Sequence, residues 1–216
     1  MKIHKVAQRT TEWFALRSGR ITGTKLKNLV TRPAAWRRPK GSSRKIEFYQ
    51  LLADKLGVTE DEGADEEAAM HRGSRLEESA RARFEKETGK TVTEAGFCTH
   101  SKNPDLAFSP DGLIENDGKY NEDVEIKCLG AAKHLQAYVE QYIQQEFEAQ
   151  NMQAFIVNED LERRHFVYYN PDVEKVQYHC IVVERGDILD KVAFYQEAEE
   201  RVLAEVEGFV RLIQKL

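Results

Sequence analysis

Apolar residues recur at every third or fourth position in three long stretches of the chain, which predicts three amphipathic helices. The first covers residues 44–56, begins after Ser42 or Ser43, and is stopped by Gly57. The second covers about residues 66–88, and Gly89 follows it. The third is the C-terminal helix, over about residues 187–215. A shorter helix is expected over residues 21–30, and a further helical region over residues 130–155.

Short runs with β character lie between these helices and predict strands over residues 91–100, 106–109, 111–115, 123–128, 163–169 and 176–184. Helix, clustered strands, helix pair, further strands and a last helix are the order expected of an α/β (α+β) protein with a central mixed β-sheet flanked by helices. The length suits a single domain over residues 1–216. Within it we distinguish a basic N-terminal part (1–50), a core (about 64–185) and the C-terminal helix (about 187–215).

One predicted hairpin brings charged residues together. Asp117-Gly118 is a strong signal for a hairpin turn, which places Asp111 on one strand and Glu125 on its neighbour. Residues two apart in a strand share a face, so Glu125 and Lys127 should project together while the residue between them points into the core. Asp111, Glu125 and Lys127 are therefore expected to meet at one place.

The chemistry of these three residues is that of a phosphodiesterase site in outline. Two carboxylates suit Mg²⁺ or Mn²⁺, which take oxygen ligands, and a neighbouring lysine can hold the attacking water. The alternative is an exposed hairpin with a cross-strand ion pair. The apolar residues Val124, Ile126 and Cys128 favour a half-buried strand instead, and charges at the end of such a strand favour a site.

The charge is distributed unevenly along the chain. Residues 1–50 contain thirteen Lys and Arg against two Glu, a net charge of +11, whereas the whole chain carries −5. This asymmetry predicts one face that binds an anionic partner. Arg32, Arg37 and Arg38 belong to a segment interrupted by Pro and Gly, which is either a loop that follows a DNA backbone or a solvated connector.

Other features of the sequence limit the compartment and the chemistry. No apolar run approaches the roughly 20 residues that span a bilayer, and the first residues lack the apolar core of a secretory signal, so we expect a cytoplasmic protein. The three cysteines are widely spaced without a CxxC pair, which predicts reduced thiols. No phosphate-binding glycine loop or GxSxG element is present, so neither ATP-driven action nor serine hydrolysis is supported.

Several segments, taken together and in order, resemble one known family. SPDGLI followed by EIKCL resembles the core of PD-(D/E)XK nucleases, in particular the phage λ-type exonucleases, also called YqaJ-type viral recombinases. TTEWFALRSGRITGTK resembles the family element W-x3-R-x-G-x-I-T-x-[ST]. HRGSRLEESARARFE, AQNMQAF and VQYHCIVVER resemble its acidic helix, its Gln-rich helix and a late strand. The resemblance covers roughly residues 8–185.

The resemblance implies roles for the residues that match. Asp111 and Glu125 would be metal ligands together with the main-chain carbonyl of Ile126, and Lys127 would serve the attacking water. Glu77 would support the metal site, although the residues alone allow an ion pair between Glu77 and Arg81 one helical turn later. The implied cofactor is Mg²⁺, two ions, with Mn²⁺ as an alternative.

Further matches fall where the family binds the terminal 5′-phosphate: Arg17, Thr24, Ser109 and Gln153. A guanidinium with hydroxyl and amide donors suits phosphate oxygens. Trp13, four residues before Arg17, would either stack on DNA or be a core tryptophan. The sequence departs from the family at two places. Asn151 stands where the Gln-rich helix has its first Gln, and Ala34 where a phosphate-binding arginine is expected, which Arg32, Arg37 or Arg38 could replace.

The activity implied by the resemblance is 5′→3′ digestion of double-stranded DNA, releasing mononucleotides and leaving 3′ single-stranded tails. The implied partners are 5′-phosphorylated DNA ends, two further copies in a trimeric ring, and a single-strand annealing protein, in a bacterial host carrying a phage or prophage. Two alternatives remain: an endonuclease of the same superfamily, with a Cas4-like nuclease disfavoured by the absent cysteine cluster, or a non-catalytic scaffold that binds DNA ends.

Overall fold

The computed structural model describes residues 1–31, 33, 36 and 66–215, and within them it contains six α-helices and seven β-strands. The helices are α1 (Thr11–Arg17), α2 (Gly23–Leu29), α3 (Glu66–Thr88), α4 (Ala131–Glu140), α5 (Glu148–Val157) and α6 (Leu189–Ile213). The strands are β1 (Lys2–His4), β2 (Phe97–Thr99), β3 (Ala107–Phe108), β4 (Gly112–Asn116), β5 (Lys119–Lys127), β6 (Arg163–Tyr169) and β7 (Tyr178–Glu184). The helix predicted over residues 44–56 lies outside the described residues.

The central sheet has four strands in the order β4-β5-β6-β7, and β5 and β6 are parallel while the outer pairs are antiparallel. This confirms the predicted mixed sheet. Along β6 the side chains alternate between the two faces, so Val167 packs with Phe84 of α3 whereas Phe166 packs with Ala137 of α4. Helices therefore cover both faces, as the order of elements predicts.

A second, smaller sheet of three antiparallel strands, β1-β2-β3, stands beside the first. The sequence analysis did not predict β1, and the strand expected over residues 91–100 is ordered as a strand only at Phe97–Thr99. β3 leads directly through Ser109 and Pro110 into β4. The small sheet therefore positions the loop that carries Asp111.

The helical region expected over residues 130–155 consists of two helices, α4 and α5, separated by a turn that contains a short 3₁₀ helix. α5 is buried along most of its length, between α2 on one side and α6 on the other. Its apolar residues Met152, Phe155 and Ile156 belong to the largest core cluster, together with Tyr195 of α6. This burial fixes α5, which also carries polar residues toward the sheet.

α6 is a long helix whose two halves differ in burial, close to the bounds predicted for the C-terminal helix. Val192, Tyr195 and Ala198 of its first half are buried against the core. The last turns, in contrast, expose apolar side chains to solvent: Val206, Phe209, Val210, Leu212 and Ile213. Within the described residues, no helix combines the length and apolar character needed to cross a bilayer.

Glu199 of α6 is a fully buried acid beside Gln153 of α5. Burial raises the pKa of Glu199 from its usual 4.5 to about 8, and the Gln153 amide offsets this only in part. The folded-state pKa thus exceeds that of the unfolded chain. The contribution of Glu199 to stability is therefore complete below about pH 4.5 and is lost as the pH rises through about 8.

We expect Glu199→Gln, which stays neutral at every pH, to be more stable than the parent above pH 8 by on the order of a few kcal/mol. The difference should shrink toward pH 5. Urea unfolding across this pH range measures it, with the exposed Glu197→Gln as the matched control. Identical pH profiles for the parent and Glu199→Gln would contradict the assignment of a buried, protonated acid.

Candidate active site

The predicted hairpin is present as β4 and β5. Asp117 and Gly118 form its turn with φ of 49° and 78°, the left-handed backbone that favours this residue pair in two-residue hairpins. Gly112, the first residue of β4, pairs with Val124 of β5. Asp111 therefore lies just beyond the paired strands, level with the last residues of β5.

The side chain of Asp111 continues the pairing where β4 stops. Its Oδ2 accepts a hydrogen bond of 2.7 Å from the main-chain N–H of Ile126, whose side chain is buried in the core. The N–H and C=O of one strand residue point to the same side, so the Ile126 carbonyl also faces Asp111. Within the described chain Oδ1 of Asp111 has no hydrogen bond, which leaves one carboxylate oxygen for a ligand.

Glu125 is held from both sides and is only 1% exposed. Its Oε1 accepts from the Lys127 ammonium at 2.6 Å and from the Gln150 amide, and its Oε2 accepts from the Arg164 guanidinium. Lys127 also donates to Gln150 Oε1 at 3.1 Å, and its Nζ lies 4.9 Å from the centroid of the Phe147 ring. The predicted pair Glu125 and Lys127 is thus in direct contact.

Arg164 is a residue of the site that the sequence analysis missed. It lies on β6, and the parallel register places it opposite Asp123, with its guanidinium 3.2 Å from Asp123 Oδ2. All three side chains of the cluster Asp123, Glu125 and Arg164 are buried. Arg164 is followed by His165 and the run FVYY, so the sequence allowed a buried arginine here, but only the register of β5 and β6 shows which acids it contacts.

Several carboxylates lie close together near the end of β5, so their negative charges repel one another. Burial and, after it, the charges of Glu125 and Glu77 raise the pKa of Asp111 to about 8, although Lys127 and the hydrogen bond from the Ile126 N–H oppose the rise. A bound cation would remove this penalty because it favours the ionised carboxylate. The electrostatics therefore fit a metal ion.

The donors fit a cation that retains water ligands. In the part of the chain that is described, no group of three or more His, Cys, Asp or Glu side chains is placed to hold a metal ion, so water and the main chain would have to complete the coordination. Asp111, Glu125 and the Ile126 carbonyl are oxygen donors only, which Mg²⁺ and Mn²⁺ prefer, and Mg²⁺ commonly uses one or two carboxylates and several waters. Both oxygens of Glu125 already accept hydrogen bonds, so a bound ion would share them with Lys127, Gln150 and Arg164. These residues could hold such an ion.

Glu77 of α3 lines the same cavity as Asp111. Its carboxylate lies 3.5 Å from the guanidinium of Arg81 one turn later, which is the ion pair that the sequence allowed, and 3.5 Å from that of Arg9. Glu77 is nevertheless near enough to Asp111 to raise its pKa. The ion pair and a supporting role at the metal site are therefore compatible.

Arg17 and the hydroxyls that it contacts form a second polar group in the cavity, beside the group of Asp111, Glu125 and Lys127. It donates to the hydroxyls of Ser109 at 3.3 Å, Thr24 at 3.1 Å and Thr22 at 3.3 Å. Burial lowers the pKa of Arg17, and no carboxylate among the described residues pairs with it. A half-buried guanidinium surrounded by hydroxyls is a site for an anion. Thr22, two residues before Thr24, was not predicted.

Trp13 is buried next to this group. Its indole N–H donates to the Gly96 carbonyl at 3.0 Å and to the Ser109 hydroxyl at 3.1 Å, and the Arg17 guanidinium lies over the ring, 4.3 Å from its centroid. This agrees with the alternative of a core tryptophan rather than with stacking on DNA. Trp13 acts here as a support for Arg17 and Ser109.

Gly23 allows the hydroxyl groups around Arg17 and the charged residues around Glu125 to line the same cavity. A Cβ at Gly23, the first residue of α2, would lie 2.7 Å from the Cα of Gln150 in α5. Only glycine permits this approach without a backbone shift. It brings Thr22 and Thr24 to the same cavity as Gln150, Glu125 and Lys127.

Gln153, predicted to contact phosphate, points elsewhere. Its side chain is 0% exposed and donates to the Ile21 carbonyl at 3.4 Å, inside the core and away from the cavity. Gln150, one turn earlier on α5, is the amide that reaches Glu125 and Lys127. The sequence singled out Gln153 without showing which face of α5 it occupies, and the structure does not bring it to Arg17, Thr24 and Ser109. Arg32, Arg37 and Arg38 lie outside the described residues.

We expect Arg164→Met to destabilise the protein by about 3–5 kcal/mol, since it leaves the buried Asp123 without a counterion and the buried Glu125 with Lys127 alone. The matched control is Arg163→Met on the same strand. Arg163 is 42% exposed and pairs with Glu184, so its removal should cost at most about 1 kcal/mol. Urea unfolding measures both variants. Equal stabilities for the two would show that the buried pairing does not stabilise the fold.

Comparisons with known proteins agree with this geometry. The chain is similar in structure to an alkaline exonuclease from Laribacter hongkongensis, with a TM-score of 0.69, 28% identity, and coverage of 95% of this chain and 97% of the other. A structure of that exonuclease in complex with dAMP matches with a TM-score of 0.65 at 28% identity, covering 95% and 99%. No match is found among curated proteins. The fold is that of PD-(D/E)XK nucleases. The family model of the YqaJ-like viral recombinase domain matches residues 12–173, and the chain belongs to this family.

Proposed function

We propose that this protein is a divalent-metal-dependent exonuclease that digests double-stranded DNA from its 5′ ends. One observation carries the proposal: the carboxylates of Asp111 and Glu125, the Lys127 ammonium and the Arg17 guanidinium line a single cavity of about 380 Å³. Family membership and the similarity to an alkaline exonuclease support a phage-type exonuclease. The direction of digestion, the identity of the metal and the products are part of this proposal.

The cleavage chemistry is assigned to the β5 end of the cavity. Mg²⁺ bound by Asp111, Glu125 and the Ile126 carbonyl, as two ions and with Mn²⁺ as the alternative, would polarise the scissile phosphate and acidify a bound water. Lys127 orients the attacking water, and Glu125 fixes the position of the Lys127 ammonium. Glu77 supports the acidic side of the site.

The 5′→3′ direction of digestion is attributed to the residues at the Arg17 end of the cavity. Arg17 with Thr22, Thr24 and Ser109 binds the terminal 5′-phosphate through charge-assisted and hydroxyl hydrogen bonds. Holding the end there places the first phosphodiester bond beside Asp111 and Lys127, so that binding supplies the orientation needed for attack. Repeated cleavage releases 5′-mononucleotides and leaves a 3′ single-stranded tail.

Membership of the YqaJ-like viral recombinase family supports a proposal for the biological setting. We propose that the 3′ tails serve a single-strand annealing protein in recombination, in the cytoplasm of a bacterial host that carries a phage or prophage.

We also propose a trimer that encircles the DNA, with the exposed apolar end of α6 in contact with a neighbouring copy. A mass in solution of one 24.9 kDa chain by light scattering would exclude the trimer.

The decisive experiment compares a 5′-labelled linear duplex with a covalently closed circle of the same sequence, with Mg²⁺, with Mn²⁺ and with EDTA. We expect the parent to release labelled mononucleotide from the linear duplex only, and only with a metal. Lys127→Ala should reduce the rate by at least about 100-fold because the water is no longer positioned. Lys133→Ala, an exposed cation outside the cavity, is the matched control.

Each alternative function predicts a different result. Cutting of the closed circle would identify an endonuclease of the same superfamily. Binding to DNA ends without metal-dependent release would identify a scaffold and would remove the roles assigned to Asp111, Glu125 and Lys127.

We expect the parent to digest 5′-phosphorylated ends about 10- to 100-fold faster than 5′-hydroxyl ends at limiting substrate, the range of a charge-assisted contact. Arg17→Ala should lose this preference by slowing only on the phosphorylated end. Lys27→Ala, which removes an exposed cation of α2 outside the cavity, should keep it. A preference that survives in Arg17→Ala would place the 5′-phosphate elsewhere.

A further inference from the structure

A second cavity of about 690 Å³ adjoins the first at Asp111, and Arg17 does not line it. It shares four residues with the first cavity, namely Gln8, Arg9, Glu77 and Asp111, while Arg17, Thr24 and Lys127 border the first cavity alone. The residue assigned to the scissile phosphate thus lies between two spaces. Apolar side chains in the second cavity suit a sugar or a base: Val6, Ala95, Leu113 and Tyr120.

Arg9 occupies the boundary between the two cavities in an unusual conformation. Its φ is 66°, a left-handed backbone that a long side chain rarely adopts. The preceding Gln8 donates its side-chain amide to the Pro110 carbonyl at 2.9 Å, which ties this segment to the loop before Asp111. Strained residues of this kind concentrate at functional sites, where the surrounding structure holds them.

The contacts of Arg9 leave it able to bind a further anion. Its guanidinium donates to Ser74 and lies 3.5 Å from Glu77, while half of the side chain is exposed. Glu77 has a second, more buried counterion in Arg81, 16% exposed, which also pairs with Glu94. Glu77 therefore does not depend on Arg9 for neutralisation. A guanidinium has five N–H donors, more than these contacts use.

We propose that Arg9 binds the first backbone phosphate on the 3′ side of the scissile bond, in the strand that remains after cleavage, and that the second cavity receives the adjoining nucleotide. The inference rests on the proposed function. If the Arg17 group holds the 5′ end on one side of Asp111, the retained strand has to continue on the other side. Among the four residues that line both cavities, Arg9 is the cation, and half of its side chain is exposed.

The test removes the Arg9 guanidinium and the charge of one DNA phosphate, separately and together, in the manner of a double-mutant cycle. Binding of a 5′-phosphorylated duplex is measured in EDTA by fluorescence anisotropy, with the second internucleotide linkage of the 5′ strand either natural or replaced by an uncharged methylphosphonate. The parent should lose about tenfold in affinity with the neutral linkage, whereas Arg9→Gly should lose less than about twofold. Arg9→Gly should also reduce the slope of log affinity against log salt by about 0.7–0.9.

The variants separate a phosphate contact from a structural role. Arg9→Gly removes the guanidinium and relieves the left-handed strain, so it should fold at least as well as the parent. Arg9→Lys keeps the charge and should retain most of the sensitivity to the neutral linkage. Arg83→Ala removes a cation of α3 outside both cavities and should behave as the parent does.

Two results would overturn the inference. The neutral linkage could weaken the parent and Arg9→Gly equally, or Arg9→Gly could lower kcat while the linkage effect and the salt slope stay those of the parent. The second result would mean that Arg9 acts only through Glu77. If the parent neither binds nor digests DNA ends, the proposed function itself fails, and this outcome is distinct from both.

Discussion

The pairing of the buried Glu125 carboxylate with Arg164, Lys127 and Gln150 is the interaction on which the site depends. An acid that is 1% exposed carries a large desolvation cost unless its oxygens are hydrogen-bonded and its charge is balanced. Arg164 supplies the balance from β6, and Gln150 supplies the amide from α5. Three elements distant in sequence are thereby fixed around one carboxylate. The geometry of Lys127 follows, because its ammonium is bound to the same oxygen.

The anion site around Arg17 depends on a different constraint, the close approach of α2 to α5. Gly23 removes the side chain that would separate the two helices, so the hydroxyls that precede and follow it reach the cavity of Glu125. The small sheet contributes from the other direction, since β3 leads directly to Ser109. Because these supports are packed, the two polar groups hold a fixed separation. A fixed separation is what an enzyme needs if it positions a bond by binding the end of its substrate.

Local signals predicted much of this structure, and the failures have physical reasons. Asp117-Gly118 fixed the hairpin, so the meeting of Asp111, Glu125 and Lys127 followed from residues close together in sequence. Arg164 could not be assigned, since the register of the parallel strands β5 and β6 depends on the whole core. Gln150 was not predicted and Gln153 faces the core, because the side of α5 that faces the cavity is set by its packing between α2 and α6. The small sheet was missed in part because a three-residue strand such as β1 gives no periodic pattern.

The distribution of charge explains how an acidic protein can offer an anion site. The cations near the cavity differ in their partners: Arg164 is committed to buried acids, whereas Arg17 contacts hydroxyls and is free of carboxylates within the described chain. An arginine that is paired with buried acids stabilises the fold but attracts an anionic ligand only weakly, because its charge is already neutralised. An arginine among hydroxyls retains its field and its donors for a ligand. The net charge of −5 is therefore a poor guide to the partner, and the unpaired guanidinium is the better one.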